Sequence, residues 1–314
     1  MNEPIFLKPF FQDRIWGGTK LKTLFGYDIP SEQTGECWAV SAHPGGQSLA
    51  KGGVHEGVAL SDLWNNHPEL FSAKSKVFPL LTKILDASDD LSVQVHPDDA
   101  FAGEHEHGEL GKTECWYIID AEPGAEIIYG HTANSREELR QQIENGSWDQ
   151  LLTRIPVKTG DFFYVPSGTI HALGKGIVVL ETQQSSDTTY RVYDYDRKDS
   201  MGNTRELHLE KAIEVTTIPQ SYQAVQYETA LHDKTEITSF VSNEFFTVQK
   251  WHVYGNSSFD SIETYRIFSV LDGEGELTVD GQVHPLRKGD HFLLPAGFGP
   301  YELSGNLQFI VSWT

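Results

Sequence analysis

Two histidines and one glutamate in the first two-thirds of the chain have the types and contexts that bind a metal ion. Gln94 and His96 are two residues apart in a strand-like run, so their side chains project from the same face. Glu114 begins another predicted strand, and His171 follows a Pro-x-Gly corner. Two imidazoles and a carboxylate leave a coordination position open, which is typical of catalytic zinc and also suits other divalent metals.

A second histidine pair, His105 and His107, has the His-x-His spacing of a metal site but is predicted to lie in a solvated loop. Its neighbours are Glu106, Gly108 and Glu109, and no apolar residue anchors the segment in a sheet. Five other histidines have no comparable set of further candidate ligands and are expected to be surface or packing residues: His131, His208, His232, His252 and His284.

The corner before His171 belongs to a frame that occurs twice. In both copies a Gly-Asp turn leads into an apolar strand and then a Pro-x-Gly corner, at 160–171 and at 289–300. The first copy ends in His171 and the second in Pro300, so the second lacks the potential ligand. The pattern predicts a duplicated β-barrel in which only one copy performs chemistry.

The two copies differ in length at a definite place. Ile118 and Val270 lie in similar segments and are expected to be equivalent. From Ile118 to Gly160 is 42 positions, whereas from Val270 to Gly289 is 19, so the first copy carries about 23 extra residues. A predicted helical insertion near 131–154, which includes a capping-box pattern at 135–138, accounts for them.

Short β-branched or aromatic runs bounded by Gly, Pro or Asp recur throughout the chain and predict an all-β protein. Helix signals are few, at 61–64, 135–140 and 209–213. We expect a metal-binding catalytic domain over 1–217, a polar junction at 218–235, and a degenerate domain without metal over 236–314.

Composition narrows the classes of partner. No apolar run approaches the ~20 residues that cross a bilayer, and the N-terminus lacks the features of a secretory signal, so we expect no membrane association. Cys37 and Cys115 are the only cysteines, which suits a reducing cytoplasm. The net charge of -21 argues against nucleic acid but allows a small phosphorylated ligand in a local basic pocket. Self-association is left open.

Longer motifs resemble the type I mannose-6-phosphate isomerases, which are zinc-dependent cupin enzymes. The matching segments are 16–18, 78–87, 91–99, 111–114, 166–173 and 189–194. The resemblance is strong over the first two-thirds of the chain, weaker over the cupin-like last third, and greatest to the short bacterial members. It implies two cupin-type jelly-roll barrels with a few helical insertions, one zinc ion per chain, and interconversion of mannose 6-phosphate and fructose 6-phosphate.

The resemblance also implies roles for individual residues. Four match the metal shell, the last of them a ligand in some members only: His96, Glu114, His171 and Gln94. Arg191 matches an arginine that has a catalytic role in the family, and Lys112 matches an active-site lysine. Two match positions associated with the substrate phosphate: Lys83 and Ser92.

These residue types suit the chemistry. Converting an aldose phosphate to a ketose phosphate moves a proton between C2 and C1 through a cis-enediol, and negative charge develops on oxygen. A zinc ion with two neutral imidazoles and one carboxylate keeps a net positive charge that can stabilise this oxygen. Arg191 stays protonated, so its expected role is electrostatic. Three candidates remain for the base: Glu181 at the end of an apolar strand, Lys112, and a zinc-bound hydroxide.

Two other functional classes stay open. A cupin that binds a sugar without turnover is one, since the second copy shows that the frame persists without ligands. An iron-dependent cupin oxygenase is the other, because two histidines and a carboxylate also suit iron. Lys83, Lys112 and Arg191 favour an anionic sugar over a neutral oxygenase substrate.

Overall fold

Strands dominate the structure, as the short β-branched and aromatic runs predict. The computed structural model describes residues 2–72, 75–198, 202–220, 222 and 224–314. Its strands are β1 (Ile5–Lys8), β2 (Phe10–Gly18), β3 (Thr34–Val40), β4 (Leu49–Lys51), β5 (Leu80–Ala87), β6 (Val93–Val95), β7 (Glu114–Ala121), β8 (Glu126–His131), β9 (Leu152–Pro156), β10 (Phe162–Val165), β11 (His171–Leu173), β12 (Ile177–Gln184), β13 (Tyr190–Tyr193), β14 (Glu228–His232), β15 (Thr235–Ser242), β16 (Thr247–Tyr254), β17 (Ser257–Phe259), β18 (Arg266–Val279), β19 (Gln282–Arg287), β20 (His291–Leu294) and β21 (Tyr301–Trp313). Its α-helices are α1 (Lys20–Phe25), α2 (Leu60–Asn66), α3 (Asp99–His105), α4 (Arg136–Glu144), α5 (Trp148–Leu151) and α6 (Leu209–Val215).

The strands pair in three antiparallel sheets. A six-stranded sheet has the order β10-β7-β12-β5-β3-β2, and a five-stranded sheet has the order β13-β6-β11-β8-β9. A ten-stranded sheet contains the C-terminal strands and also β1 and β4 from the N-terminus, which continue it beyond β20. Among the described residues no sheet closes on itself, so the prediction of two closed barrels is not confirmed, whereas the mostly-β class is.

The six-stranded sheet is covered on both faces. On one face, Leu85, Trp116 and Val179 pack against Ile127 and Leu173 of the five-stranded sheet. The other face packs against apolar side chains of the ten-stranded sheet. Every residue of β5 and β12 is consequently buried, including the polar ones. A polar side chain on these strands must therefore find a partner inside the protein.

Two helices, α4 and α5, lie in the segment 131–154, where the sequence predicts a helical insertion. The Ser135 hydroxyl accepts a hydrogen bond from the Glu138 backbone N–H at 3.1 Å, and the Glu138 carboxylate accepts one from the Asn134 backbone N–H at 2.8 Å. These bonds satisfy backbone donors at the start of α4, so the capping pattern begins the helix where the sequence predicts.

The two Gly-Asp turns are built in the same way. Gly160 N donates to Ile118 O at 2.9 Å, and Gly289 N donates to Val270 O at 2.9 Å. Gly160 and Gly289 both have positive φ, at 93° and 88°, a region that glycine enters without a steric penalty. Each aspartate side chain accepts from the backbone N–H three residues before it. The predicted equivalence of Ile118 and Val270 is confirmed.

This equivalence shows what replaces the ligands in the second copy. Glu114 pairs with the fifth residue after Gly160, and Arg266 pairs with the fifth residue after Gly289. Arg266 therefore stands where the first copy has Glu114, as Pro300 stands where it has His171. The Arg266 guanidinium lies 4.7 Å from the centre of the Trp313 ring, so a cation packed on an aromatic face occupies the position of a carboxylate.

Replacing Gly17 by alanine is expected to lower the free energy of unfolding by about 1–3 kcal/mol, because the added Cβ overfills a tight strand contact. That Cβ would lie 2.3 Å from Gln33 O and 2.4 Å from Gly35 N, both of which are backbone atoms. Gly103 in α3 is the matched control, since its added Cβ meets nothing within 4 Å. Chemical denaturation of both variants tests this expectation, and equal effects at the two sites would contradict it.

Candidate metal centre

The candidate site lies between the six-stranded and five-stranded sheets, where two rows of side chains face each other. Directly paired residues carry their side chains on the same face of a sheet. In the six-stranded sheet the row is Trp38, Lys83, Glu181, Trp116 and Phe163. In the five-stranded sheet it is Arg191, Gln94, His171 and Tyr129. The Trp116 and His171 rings pack edge to face with their centres 5.3 Å apart, so the two rows are in contact.

His96, Glu114 and His171 converge as the sequence predicts. His96 directly follows β6, while Glu114 and His171 are the first residues of β7 and β11. His96 Nε2 lies 3.6 Å from Glu114 Oε2, and His171 Nε2 lies 3.4 Å from Glu114 Oε1. One ligand atom from each residue falls within 4.8 Å of the others, and all three side chains are buried. One ion can therefore contact all three.

Backbone carbonyls hold both imidazoles in the form that a metal ligand needs. His96 Nδ1 donates to Thr188 O and His171 Nδ1 donates to Thr169 O, each at 2.8 Å. A carbonyl can only accept, so the proton is on Nδ1 and the Nε2 lone pair of each ring faces the centre. Burial and the charge of Lys112 lower the pKa of His171 to about 4, and burial also lowers that of His96. Both rings are thus neutral near pH 7.

The carboxylate supplies the remaining charge of the centre. Glu114 is fully buried, and its Oε1 has no hydrogen-bond partner among the described residues. A buried carboxylate oxygen without a donor is costly, and coordination of a cation would satisfy it. Two neutral imidazoles and one carboxylate suit a divalent metal with an open position, so the donor set fits the ion.

Lys112 lies within the centre and faces two of its ligand atoms. Its Nζ is 2.6 Å from Glu114 Oε2 and 3.0 Å from His96 Nε2. Burial alone would lower the pKa of Lys112, but the carboxylates of Glu114 and Glu181 raise it above its ordinary value. Lys112 is therefore a fixed cation at neutral pH, which makes it a poor candidate for the base.

Glu181 points into the space between the sheets, and not into solvent. Its side chain is buried, and Glu181 Oε2 accepts a hydrogen bond from Trp116 Nε1 at 2.9 Å. Burial and the negative charge of Glu114 raise the pKa of Glu181. A buried carboxyl group with a raised pKa beside a cavity has the properties of a general base.

Arg191 and Ser92 lie together on the five-stranded side. Arg191 Nε donates to Ser92 Oγ at 3.2 Å, and Arg191 Nη1 donates to the backbone carbonyl of Glu206 at 2.8 Å. Both acceptors are neutral, so these bonds hold the guanidinium in place without neutralising it. Burial and the neighbouring Arg205 lower the pKa of Arg191, but an arginine keeps its charge. Its positive charge remains available to an anion.

Gln94 lies between Arg191 and His171 in the five-stranded row. Its amide nitrogen is 3.4 Å from His171 Nε2. The amide therefore borders the three-ligand centre.

A polar cavity of about 370 Å³ adjoins the centre through Lys112 and Gln94, which line it. It is lined by residues that the sequence predicts, namely Lys83, Ser92, Gln94, Lys112, Glu181 and Arg191, and by others that sequence reasoning missed, among them Arg14, Glu36, Asp187 and Arg205. The alternation of Arg14 with Trp16 along β2 was the available signal, because residues two apart on a strand share a face.

The rival pair His105 and His107 lies elsewhere. His105 ends α3, and His107 follows it in a turn with φ of 56°. Glu106, between them, accepts hydrogen bonds from Tyr190 and Lys211, each at 2.6 Å. In the part of the chain that the structure describes, only His96, Glu114 and His171 form a group able to hold a metal. The prediction of a solvated loop is therefore wrong for His105, which is helical, and agrees with the exposed residues 107–109.

Comparison with known proteins gives consistent matches along the chain. Residues 5–119 match the family model of the type I phosphomannose isomerase catalytic domain, and residues 236–314 match that of the mannose-6-phosphate isomerase cupin domain. A mannose-6-phosphate isomerase of Streptococcus mutans is 58% identical over 99% of this chain and 98% of its own length. The solved mannose 6-phosphate isomerase of Bacillus subtilis is 52% identical, covers 100% of both chains and has a TM-score of 0.98. A mannose 6-phosphate isomerase solved with zinc and yttrium bound is 17% identical over 99% of both chains, and with a TM-score of 0.80 it shares the fold.

Proposed function

We infer, from the fact that this chain belongs to the type I phosphomannose isomerase family, that it interconverts mannose 6-phosphate and fructose 6-phosphate. It is thus an enzyme, an aldose-ketose isomerase. The observation that carries this conclusion is the buried group of His96, Glu114 and His171, whose neighbours Lys112 and Gln94 line a cavity that also contains Lys83, Arg191 and Glu181. Binding of an anionic sugar needs the cations, and proton transfer needs a group such as Glu181.

We propose that the cofactor is one zinc ion per chain, held by His96, Glu114 and His171, with Gln94 as a further ligand. The neutral imidazoles, the unpartnered Glu114 Oε1 and the position of Gln94 next to His171 support this assignment. When bound, the ion supplies positive charge for the oxygen on which negative charge develops during isomerisation.

We propose that the phosphate of the substrate lies toward Arg191, Ser92 and Lys83. Arg191 is held by two neutral acceptors, Ser92 Oγ and the Glu206 carbonyl, and its bond to Ser92 places a hydroxyl beside it. Arginine has the planar set of donors that suits a phosphate. With the phosphate at this end, the reacting carbons extend toward the metal ligands and Glu181, so binding of the remote group orients the reacting one.

We propose that Glu181 moves the proton between C2 and C1, and that Lys112 acts as a cation. Glu181 has the raised pKa that a base needs, and its bond to Trp116 fixes one oxygen while the other remains able to take the proton. Lys112, held by Glu114 and His96, places positive charge where the enediolate oxygens form.

Metal analysis combined with an activity assay tests the function. We expect about one zinc per chain and formation of fructose 6-phosphate from mannose 6-phosphate. Chelation should lower turnover by roughly 100-fold or more, and added zinc should restore it, since the ion stabilises the developing charge. Bound iron with oxygen consumption would instead indicate the oxygenase, and saturable sugar binding without turnover would indicate a binding protein.

We also propose that the six- and five-stranded sheets form a cupin-type jelly roll within a catalytic domain of residues 1–217, and that residues 236–314 form a second one without metal. The matching Gly-Asp turns and the cupin match over 236–314 support the duplication. Arg266 and Pro300 at the ligand positions support the absence of metal.

The buried free thiols of Cys37 and Cys115 support a cytoplasmic location. No helix in the described part of the chain is long and apolar enough to cross a membrane.

A further inference from the structure

We propose that Glu36, a buried carboxylate of β3, is a positioning residue that holds two cations of the cavity, Arg14 and Lys83, in the geometry that binds the sugar phosphate. The proposal rests on the isomerase function inferred above and adds a residue to it. Glu36 lies within the segment that matches the family model but outside the short motifs named in the sequence analysis, and its role follows from its contacts alone.

Glu36 holds Arg14 through a two-point contact. Arg14 Nε donates to Glu36 Oε1 at 2.7 Å, and Arg14 Nη2 donates to Glu36 Oε2 at 3.2 Å. Trp38 Nε1 also donates to Glu36 Oε2, at 2.6 Å. A bidentate contact fixes both the position and the plane of a guanidinium, because two parallel bonds leave it no freedom to rotate.

The same carboxylate helps to set the place of Lys83. Lys83 Nζ lies 4.0 Å from Glu36 Oε2 and 3.4 Å from Asp187 Oδ1. It also lies 4.5 Å from the centre of the Trp38 ring, and Glu36 fixes that ring through its indole N–H. A buried lysine needs such partners to remain charged. Glu36 thus acts on Lys83 directly and through Trp38.

The balance of charged side chains in the cavity indicates that Glu36 does more than stabilise the fold through an ion pair. Arg14, Lys83, Glu36 and Asp187 all line the cavity, and their formal charges cancel. Burial would raise the pKa of Glu36, but Lys83 and Arg14 lower it, so the carboxylate stays ionised. Two cations held by two carboxylates keep fixed positions in the free enzyme, and binding then costs less in ordering of long side chains.

The test is Glu36→Gln, with steady-state kinetics on mannose 6-phosphate in the zinc-loaded full chain. A glutamine amide nitrogen cannot accept a hydrogen bond, so Arg14 loses one of its two acceptors whichever oxygen is replaced, and Trp38 also loses its acceptor if that oxygen is Oε2. We expect KM to rise roughly tenfold, because the cations that bind the substrate lose their fixed geometry. The value of kcat should stay within about twofold, because the groups that carry out the reaction are unchanged. A fall in kcat with unchanged KM, or no change in either, would overturn the proposal.

A double-mutant cycle separates positioning from general destabilisation. Arg14→Gln alone should raise KM by a similar factor, and Arg14→Gln combined with Glu36→Gln should be no worse than the more severe single variant, because both remove the same contact. Additive effects on KM would reject the coupling. If Glu36→Gln fails to fold, Arg14→Gln alone decides, since an unchanged KM in that variant also rejects the proposal.

A matched control is available on the surface. Glu210 makes a similar two-point contact with Arg140, at 2.6 and 2.8 Å, but both side chains are exposed and away from the cavity. Glu210→Gln should leave KM and kcat within about twofold of the parent values, since exposed ion pairs contribute little.

If the parent enzyme itself shows no turnover, the isomerase function fails. Calorimetric binding of mannose 6-phosphate to the same variants would then still test Glu36.

Discussion

Glu114→Ala is expected to yield a protein that retains less than about one-tenth of the parent metal content and whose kcat/KM is at least roughly 1,000-fold lower. Glu114 is the only acidic member of the metal-binding group found in the described chain, and it is buried with Oε1 unpartnered. Without it, two neutral imidazoles remain and Lys112 repels a cation at short range. Metal analysis of the purified variant and an isomerase assay measure the two losses together.

Stability must be measured in the same experiment, because removing Glu114 also leaves Lys112 buried without its 2.6 Å partner. Breaking a buried ion pair in this way costs about 3–5 kcal/mol, so Glu114→Gln, which keeps the side-chain shape, should accompany it. His105→Ala is the control from the rival histidine pair and should keep both metal and activity. A metal-replete, active Glu114→Ala protein, or loss of metal in His105→Ala, would contradict the assignment of the centre.

Glu181→Gln is expected to lower kcat by about 100- to 10,000-fold while the metal content and KM change little, since it removes a general base and keeps the side-chain shape. A glutamine oxygen can still accept from Trp116 Nε1, so the local packing is preserved. Exchange of the substrate C2 proton with deuterated solvent should fall in parallel, because that exchange requires proton abstraction without the complete reaction.

Lys112→Gln provides the comparison for Glu181. If Lys112 acts as a fixed cation, its loss should slow the overall reaction, because the positive charge beside Glu114 and His96 is removed. If a Glu181→Gln protein instead retains kcat within about tenfold of the parent value and keeps its solvent exchange, the base is another group. The two variants together therefore distinguish the candidates that sequence reasoning left open.

The convergence of the residues that could hold a metal was predictable from sequence because each lies in a local context that reveals its direction. Gln94 and His96 alternate along a strand, and His171 closes a turn whose repeat lacks the ligand. Glu36 and Asp187 were missed for the opposite reason. They enter the cavity only because β3 pairs with β5 and because the segment after β12 returns to Lys83, and such pairing across the chain leaves no local pattern.

The fold shows the same division between local and distant interactions. The helix that begins after Ser135 was predictable because its cap is formed by neighbouring residues. The addition of β1 to the C-terminal sheet was not, since Leu7 pairs with His291 across almost the whole chain. Whether sheets close into barrels also depends on distant hydrogen bonds, and here the predicted closure was not confirmed.

The two Gly-Asp turns bear on the order in which the protein matures. The second copy forms the same backbone hydrogen bonds around Gly289 as the first forms around Gly160, although arginine and proline occupy its ligand positions. This backbone frame therefore does not need an ion in order to form. Newly made chains can complete their sheets first and acquire metal afterwards, unlike small zinc domains that remain unfolded until they are loaded. If turnover requires the proposed metal, its supply then governs what share of the folded molecules is active, while the sequence itself governs how many molecules fold.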